Sequence, residues 1–368
     1  MEKLRTCIMG CTGVVGQQFV RMLDNHPWFE VVLLAASARS AGKTYAQAAR
    51  WSLGAEIPAY AAAMPVVEAS AAAVLESGAA IAFSALPAAV ASGLETELAN
   101  GGCHVFTNAS AHRMDPDVPL VVPEVNPEHF ALIRRAARAR GAIVADSNCS
   151  TAGLVLALKP LLPFGPRRVV VSTYQAVSGA GRAGLPALDI LGNAIPFIRG
   201  EEEKLARESN RILGRLEGPA VRDAGIEVCA SCCRVAAREG HLMSVTADLD
   251  SDPAPDEIAG AFRDFRGAPQ AMALPTAPQR PLIVRAEADR PQPLLDAHAG
   301  FPPRARGMAV TIGRIRRHGR SVSFFLLVHN TIRGAAGTCI LNAEYALRAG
   351  LIRQAAGRPP EGKEGGDP

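Results

Sequence analysis

Cys149 is the residue of this sequence best placed to act as a nucleophile. It stands in Asp146-Ser147-Asn148-Cys149-Ser150-Thr151, directly ahead of an apolar helical run over 152–158. A thiol at a helix start meets the positive end of the macrodipole, which favours thiolate, so the placement predicts a lowered thiol pKa and covalent chemistry at this sulfur. The other seven cysteines fit core or edge positions. Cys229-x-x-Cys232 has half the spacing of a zinc site but no second pair to complete it, so no metal is expected. A thiolate mechanism needs a proton partner. His26 and His129 lie beside prolines in surface-like turns, and His298 and His318 lie in connections rich in Pro, Gly or Arg. His241 instead opens an apolar strand over 242–249 and follows Arg234 by seven residues, so a guanidinium and an imidazole flank one connection. The first can clamp a carboxylate while the second handles a proton. Spacing alone leaves that assignment open. Arg113 and Lys204 are further anion-binding candidates, although Lys204, in Gly200-Glu201-Glu202-Glu203-Lys204, also reads as part of an ordinary charged first helical turn.

A second constellation lies near the N-terminus. Gly10-Cys11-Thr12-Gly13-Val14-Val15-Gly16 joins a strand at 4–9 to an amphipathic helix, a placement that lets backbone approach a pyrophosphate at a helix N-terminus. The next strand, 31–36, leads into Ser37-Ala38-Arg39-Ser40-Ala41-Gly42-Lys43, and no acid occurs from 31 to 55. Hydroxyls and cations where NAD enzymes carry a carboxylate favour the 2′-phosphate of NADP, through Ser37, Arg39, Ser40 and Lys43.

Elements able to position these groups follow from periodicity. Further buried-strand runs at 81–84, 104–107 and 142–145 alternate with Ala-rich helical stretches, which argues for a parallel α/β sheet of Rossmann type. After about residue 148 the strand candidates 169–174, 227–232, 241–249 and 321–329 are separated mostly by loops, which predicts a second, α+β domain with a mixed, largely antiparallel sheet. Residues 267–303 read as irregular connection, 335–350 as a helix and 357–368 as a disordered tail. The expected division is 1–147, rejoined by the helix at about 332–352, and 148–331.

The 368 residues carry 39 basic and 35 acidic side chains, a net +4 with no basic tract, which gives no footprint for nucleic acid. The most apolar window, 79–94, is interrupted by Pro87 and Gly93 and is too short for a membrane span. Eight irregularly spaced cysteines do not make a disulfide scaffold, and the expected location is the cytoplasm.

The order and spacing of Gly10 to Gly16, Asn25-His26-Pro27-Trp28-Phe29, Ser37 to Lys43, Val122-Pro123-Glu124-Val125-Asn126, Ser147 to Thr151, Gln175 to Gly181, Ile195-Pro196-Phe197, Gly200 to Lys204, Arg234-Val235, Gly240-His241 and His329 to Gly337 resemble those of aspartate-β-semialdehyde dehydrogenases of the archaeal and fungal branch. The resemblance runs from about residue 6 to 351. It implies NADP-dependent reductive dephosphorylation of aspartyl phosphate through a cysteine thioester, with Cys149 as nucleophile, His241 as acid/base and Gln175 beside the acyl group. Arg234 would hold the substrate carboxylate and Glu202 face its amino group; Arg113 and Lys204 would bind phosphate, and Asn126 and Asn148 line the pocket. Ser178, Gly179, Gly181 and Asn330 would contact the nicotinamide half of the cofactor. N–H groups at the start of the helix after Cys149 would meet oxyanion charge, and the chain would form a homodimer or homotetramer. Cys11, Cys233, Leu242, Val328 and the turn Gly181-Arg182-Ala183-Gly184 depart from the usual pattern. Cys233 and Leu242 adjoin Arg234 and His241, which keeps a related acyl reductase, such as a malonyl-CoA reductase, or a catalytically silent NADP-binding regulator open as rivals.

Overall fold

A computed structural model describes residues 2–134 and 141–352 of the chain; the expected tail at 357–368 lies outside them. Two sheets organise the molecule. The first is parallel, with strands β1 (Leu4–Met9), β2 (Phe29–Ala36), β3 (Val66–Glu68), β4 (Ile81–Ser84), β5 (His104–Thr107) and β6 (Ile143–Ala145) in the order β3-β2-β1-β4-β5-β6. β4 is buried throughout, the pattern of a strand covered on both faces. Helix α1 (Val14–Met22) follows β1 and α2 (Ala88–Asn100) follows β4, giving the Rossmann-type architecture expected.

Helix α3 (Cys149–Leu158) leads from this sheet into the second. All its residues beyond Cys149 are buried, so packing on every side, more than intrinsic propensity, fixes it in place. The second sheet contains β7 (Pro166–Gln175), β8 (Ala194–Ile195), β11 (Glu227–Val235), β12 (His241–Leu249), β13 (Leu282–Val284), β14 (Val310–His318) and β15 (Ser321–Val328), ordered β13-β14-β15-β12-β7-β11-β8; β9 (Arg215–Glu217) and β10 (Ala220–Arg222) form a separate hairpin. The sheet is mixed, because β7 runs parallel to β11, and β13 to β14. The connection read as irregular over 267–303 therefore contains a strand, one too short to show a period in sequence. Helices α4 (Glu201–Leu213) and α5 (Pro255–Asp264) cover one face of this sheet. The other face is open: Val170 and Tyr174 of the central strand β7 are about 40% exposed.

Helix α6 (Gly337–Arg348) returns to the first sheet, where Cys339, Ile340, Leu341, Ala343 and Ala346 join the core around Phe19, Phe29 and Phe83. His26 belongs to this junction. Contrary to the surface-like turn expected, its ring is fully buried, stacked on Phe29, with Nδ1 accepting from the Trp28 and Phe29 N–H groups and Nε2 2.9 Å from Glu344 on α6. His129 is likewise fully buried, its Nδ1 2.9 Å from the Asn126 amide. Among the described residues no helix is long and apolar enough to cross a membrane.

Candidate active site

Strand register assembles the site. Arg234 on β11 pairs with Gln175 on β7, and Leu242 on β12 pairs with Tyr174, so Arg234, Gln175 and His241 stand side by side at one end of three adjacent strands. All three are buried, on the face covered by helices. Side chains alternate along a strand, which sends their neighbours Cys233, Tyr174 and Leu242 to the open face. The two sequence departures expected beside the substrate therefore lie on the opposite side of the sheet, flanking Tyr174 in register.

Cys149 comes to these strands at the tip of α3. Its Sγ is 3.2 Å from His241 Nε2. His241 Nδ1 accepts the Ala176 N–H at 3.1 Å, which places the proton of the neutral ring on Nε2, facing the sulfur. The carbonyl of the same residue, Ala176, accepts from Arg234 at 2.8 Å. One residue's backbone thus orients both the imidazole and the guanidinium. Gly179 makes room for their convergence, since a Cβ there would stand 2.8 Å from an Arg234 nitrogen and 3.3 Å from the His241 ring.

The lowered thiol pKa expected from the helix start is not what the surroundings produce. Burial, reinforced by the Glu201 carboxylate, pushes Cys149 up to about 12 against the opposing charges of Arg113 and Arg234. A helix terminus contributes about 0.3–1 kcal/mol, less than the roughly 1.4 kcal/mol that changes an ionisation constant tenfold, so burial prevails. Burial and the nearby Arg234 likewise push His241 down to about 3. Both shifts favour the neutral forms, a thiol beside a neutral imidazole.

Asn148 caps α3, its Oδ1 accepting from Ser150 N at 2.9 Å and Thr151 N at 3.2 Å. That cap already engages the Ser150 and Thr151 amides; the Ser150 N–H also acts on the Cys149 sulfur, and His241 Nε2–H is a second donor turned toward it. The Asn148 amide nitrogen donates to Glu201, at 3.0 and 3.1 Å, and Gln175 donates to the same carboxylate at 2.9 Å. Glu201, missed in the sequence, is thus the carboxylate in the site, and Glu202 is not. Glu202 lies one helical position round and accepts the Cys232 N–H at 3.0 Å. Three consecutive glutamates at a helix start carry no phase information, and only the packing of α4 on α3 and β11 distinguishes them.

Arg113 is buried, donating to Glu208 at 3.0 Å and to the Asn108 carbonyl at 2.8 Å. The other Glu208 oxygen accepts Asn148 N at 2.6 Å. Positions 201, 204 and 208 share one side of α4 by helical spacing, which puts Lys204, partly exposed, between Glu201 and Glu208. Asn126 does not line the pocket. Its amide is satisfied by Val122 N, the Leu120 carbonyl and His129, and it braces its own loop.

A crevice lined by Val14, Ser178, Gly181 and Arg182 runs between the glycine turn and the second sheet. A Cβ on Gly16 would fall 2.1 Å from the Gly10 carbonyl, so the close turn requires glycine there. No side chain caps α1 and no acid stands in its first turn, which leaves its N-terminus, at Thr12, Gly13, Val14 and Val15, open to an anion and fits a dinucleotide pyrophosphate. Ser37, Arg39 and Lys43 are exposed just beyond β2, with Ser40 partly so. Asn330 donates to the Ser178 hydroxyl at 2.8 Å and accepts Gly240 N at 2.9 Å, tying the crevice to the connection that carries His241.

Residues 5–133 match a family model for the NAD binding domain of semialdehyde dehydrogenases, and 158–333 one for their dimerisation domain. The chain is 48% identical over 344 residues to an aspartate-semialdehyde dehydrogenase of Methanothermobacter thermautotrophicus (92% of this chain, 97% of that one), and 45% identical over 349 residues to one of Archaeoglobus fulgidus (94% and 98%). The crystal structure of the Candida albicans aspartate-semialdehyde dehydrogenase with NADP is similar at a TM-score of 0.86 and 36% identity, covering 95% of this chain and all of that one.

Proposed function

This chain belongs to the semialdehyde dehydrogenase family, and we propose that it is an aspartate-semialdehyde dehydrogenase, interconverting L-aspartyl 4-phosphate and L-aspartate 4-semialdehyde with NADP. The observation that carries the chemistry is the 3.2 Å approach of Cys149 to His241 among buried anion-binding groups.

In the reductive direction Arg234 holds the substrate carboxylate, Arg113 and Lys204 the phosphate, and Glu201 faces the ammonium group. Cys149 sulfur attacks the acyl carbon, the C–O bond to phosphate breaks, and the departing phosphate takes up the thiol proton, leaving a thioester. The His241 Nε2–H donates a hydrogen bond to the acyl oxygen as negative charge develops on it. Gln175, fixed by Glu201, borders the acyl group. NADPH, held by the 10–16 turn, Ser37, Arg39, Ser40, Lys43, Ser178, Gly179, Gly181 and Asn330, supplies the hydride. Hydride addition leaves an oxyanion, and as the thiohemiacetal collapses to the aldehyde the sulfur takes up one proton drawn from solvent; His241, beside both atoms, is the group placed to relay it.

We further take residues 1–147 with 332–352 as the cofactor unit and 148–331 as the catalytic and association unit. The chain associates as a homodimer or homotetramer, and it works in the cytoplasm. The exposed row of Val170 and Tyr174 on β7 supports association through the open sheet face.

NADPH formation from aspartate semialdehyde and phosphate, run beside malonyl-CoA-dependent NADPH oxidation, tests the reading. The first activity is expected, and it should vanish in Cys149→Ala. Preference for malonyl-CoA, or activity surviving that substitution, would overturn it.

A further inference from the structure

We propose that Glu239, His298 and His329 form a binding site for a divalent transition metal ion, of which Zn2+ suits the donors best. Glu239 Oε2 lies 3.4 Å from His329 Nε2 and 3.5 Å from His298 Nε2, and the three donor atoms all fall within 4.8 Å of one another. Two imidazoles and a carboxylate are a common zinc donor set; ligand atoms roughly 2.1 Å from a tetrahedral ion stand about 3.4 Å apart.

His329 supplies an independent reason. It is fully buried, its Nδ1 has no hydrogen-bond partner, and its Nε2 meets only the Glu239 carboxylate, at 3.4 Å and without good hydrogen-bond geometry. A buried polar ring left in that state is costly unless another group satisfies it. An ion between the three donors would engage the Nε2 lone pair and the carboxylate together. His298, tilted by 60° against His329 at 4.7 Å between ring centres, is half-exposed and closes the cluster on the solvent side.

The fourth position would open into a cavity of about 650 Å³ lined by Arg21, Arg238, Arg304 and Arg306, with Asp24 the one further carboxylate beside Glu239. Arg304 is held by the carbonyls of Met22, Asp24 and Asn25, and Arg238 by that of Ser52. These cations disfavour a bare dication and favour an ion that arrives with an anionic fourth ligand, hydroxide or phosphate. The site would clip the connection ahead of β12 to the end of β15, since Glu239 precedes Gly240-His241 and His329 precedes Asn330. The sequence held out only Cys229-x-x-Cys232 as a metal motif. Ligands at 239, 298 and 329 share no spacing by which a sequence could announce them.

The test uses the full chain carrying Cys149→Ser, so that the nucleophile cannot capture the ion, with Co2+ as the spectroscopic probe and Zn2+ as competitor. One Co2+ per chain with tetrahedral d–d bands and no thiolate charge-transfer band is expected, displaced by Zn2+. Adding His298→Ala, at a half-exposed ring whose loss should leave the circular dichroism spectrum unchanged, should weaken Zn2+ binding at least about a hundredfold. Glu239→Gln, which keeps the side-chain shape, should do the same. Undiminished binding in both variants, no binding to the parent, or a thiolate band would overturn the proposal.

Discussion

Glu208 joins Arg113 to the backbone of Asn148: one carboxylate oxygen accepts from the guanidinium at 3.0 Å and the other from Asn148 N at 2.6 Å. The anion clamp and the residue ahead of the nucleophile are thus set by one side chain on α4. Glu208→Gln keeps the shape but removes the charge-assisted bond to Arg113, worth roughly 1.5–3 kcal/mol. We expect KM for phosphate in the oxidative direction to rise about tenfold or more while kcat changes less. An equal fall in kcat with KM unchanged would count against a positioning role.

Glu201 and Glu202 should separate cleanly in steady-state kinetics. Glu201→Gln puts an amide opposite the donating amides of Asn148 and Gln175 and removes the charge proposed to face the substrate ammonium. kcat/KM should fall by about a hundredfold or more, equivalent to roughly 2.7 kcal/mol. Glu202→Gln, whose oxygen can still accept the Cys232 N–H, should stay within about threefold of wild type.

The free thiol should behave as a weak acid. With Cys149 pushed up to about 12, its thiolate fraction rises tenfold for each pH step below that value. Iodoacetamide labelling, followed by mass spectrometry of the Cys149 peptide so that the partly exposed Cys229 and Cys233 do not interfere, should keep accelerating from pH 7 to 10. A plateau near neutrality would mean that the resting enzyme already holds a thiolate.

Gly334 underlies the nucleophile, since a Cβ there would stand 2.6 Å from that of Cys149. Gly334→Ala should displace Cys149, abolish most activity and lower stability by about 1–3 kcal/mol, the usual scale for overpacking. Gly54→Ala, where a Cβ would meet nothing within 4 Å, is the matched control. Denaturant titration and activity assays together check both.

What the sequence made legible has local causes. The 10–16 turn showed because close packing demands glycine at fixed places, and Cys149 because a polar cluster meets an apolar helix. Glu208 could not be seen, lying 60 residues from the amide it serves. Glu201 was hidden among equivalent neighbours, and Asn126 looked like a site residue although its loop uses every polar atom of its amide. The misplaced concern over Cys233 and Leu242 had an answer in the sequence: strand alternation already set them opposite Arg234 and His241. The partial burial of Cys149 was not available, because it depends on α4 and on the 331–336 segment packing against the helix start.

The alternation along β7 carries one more implication. Gln175 faces the reacting atoms and Tyr174 the open surface, so both surfaces are read from a single alignment of β7 with β11 and β12. A slip of one residue would exchange them, taking the amide out of the catalytic pocket and driving the phenol ring into it. Misregistered chains would therefore be dead and sticky at once, and the same quality check that removes one fault from the population removes the other.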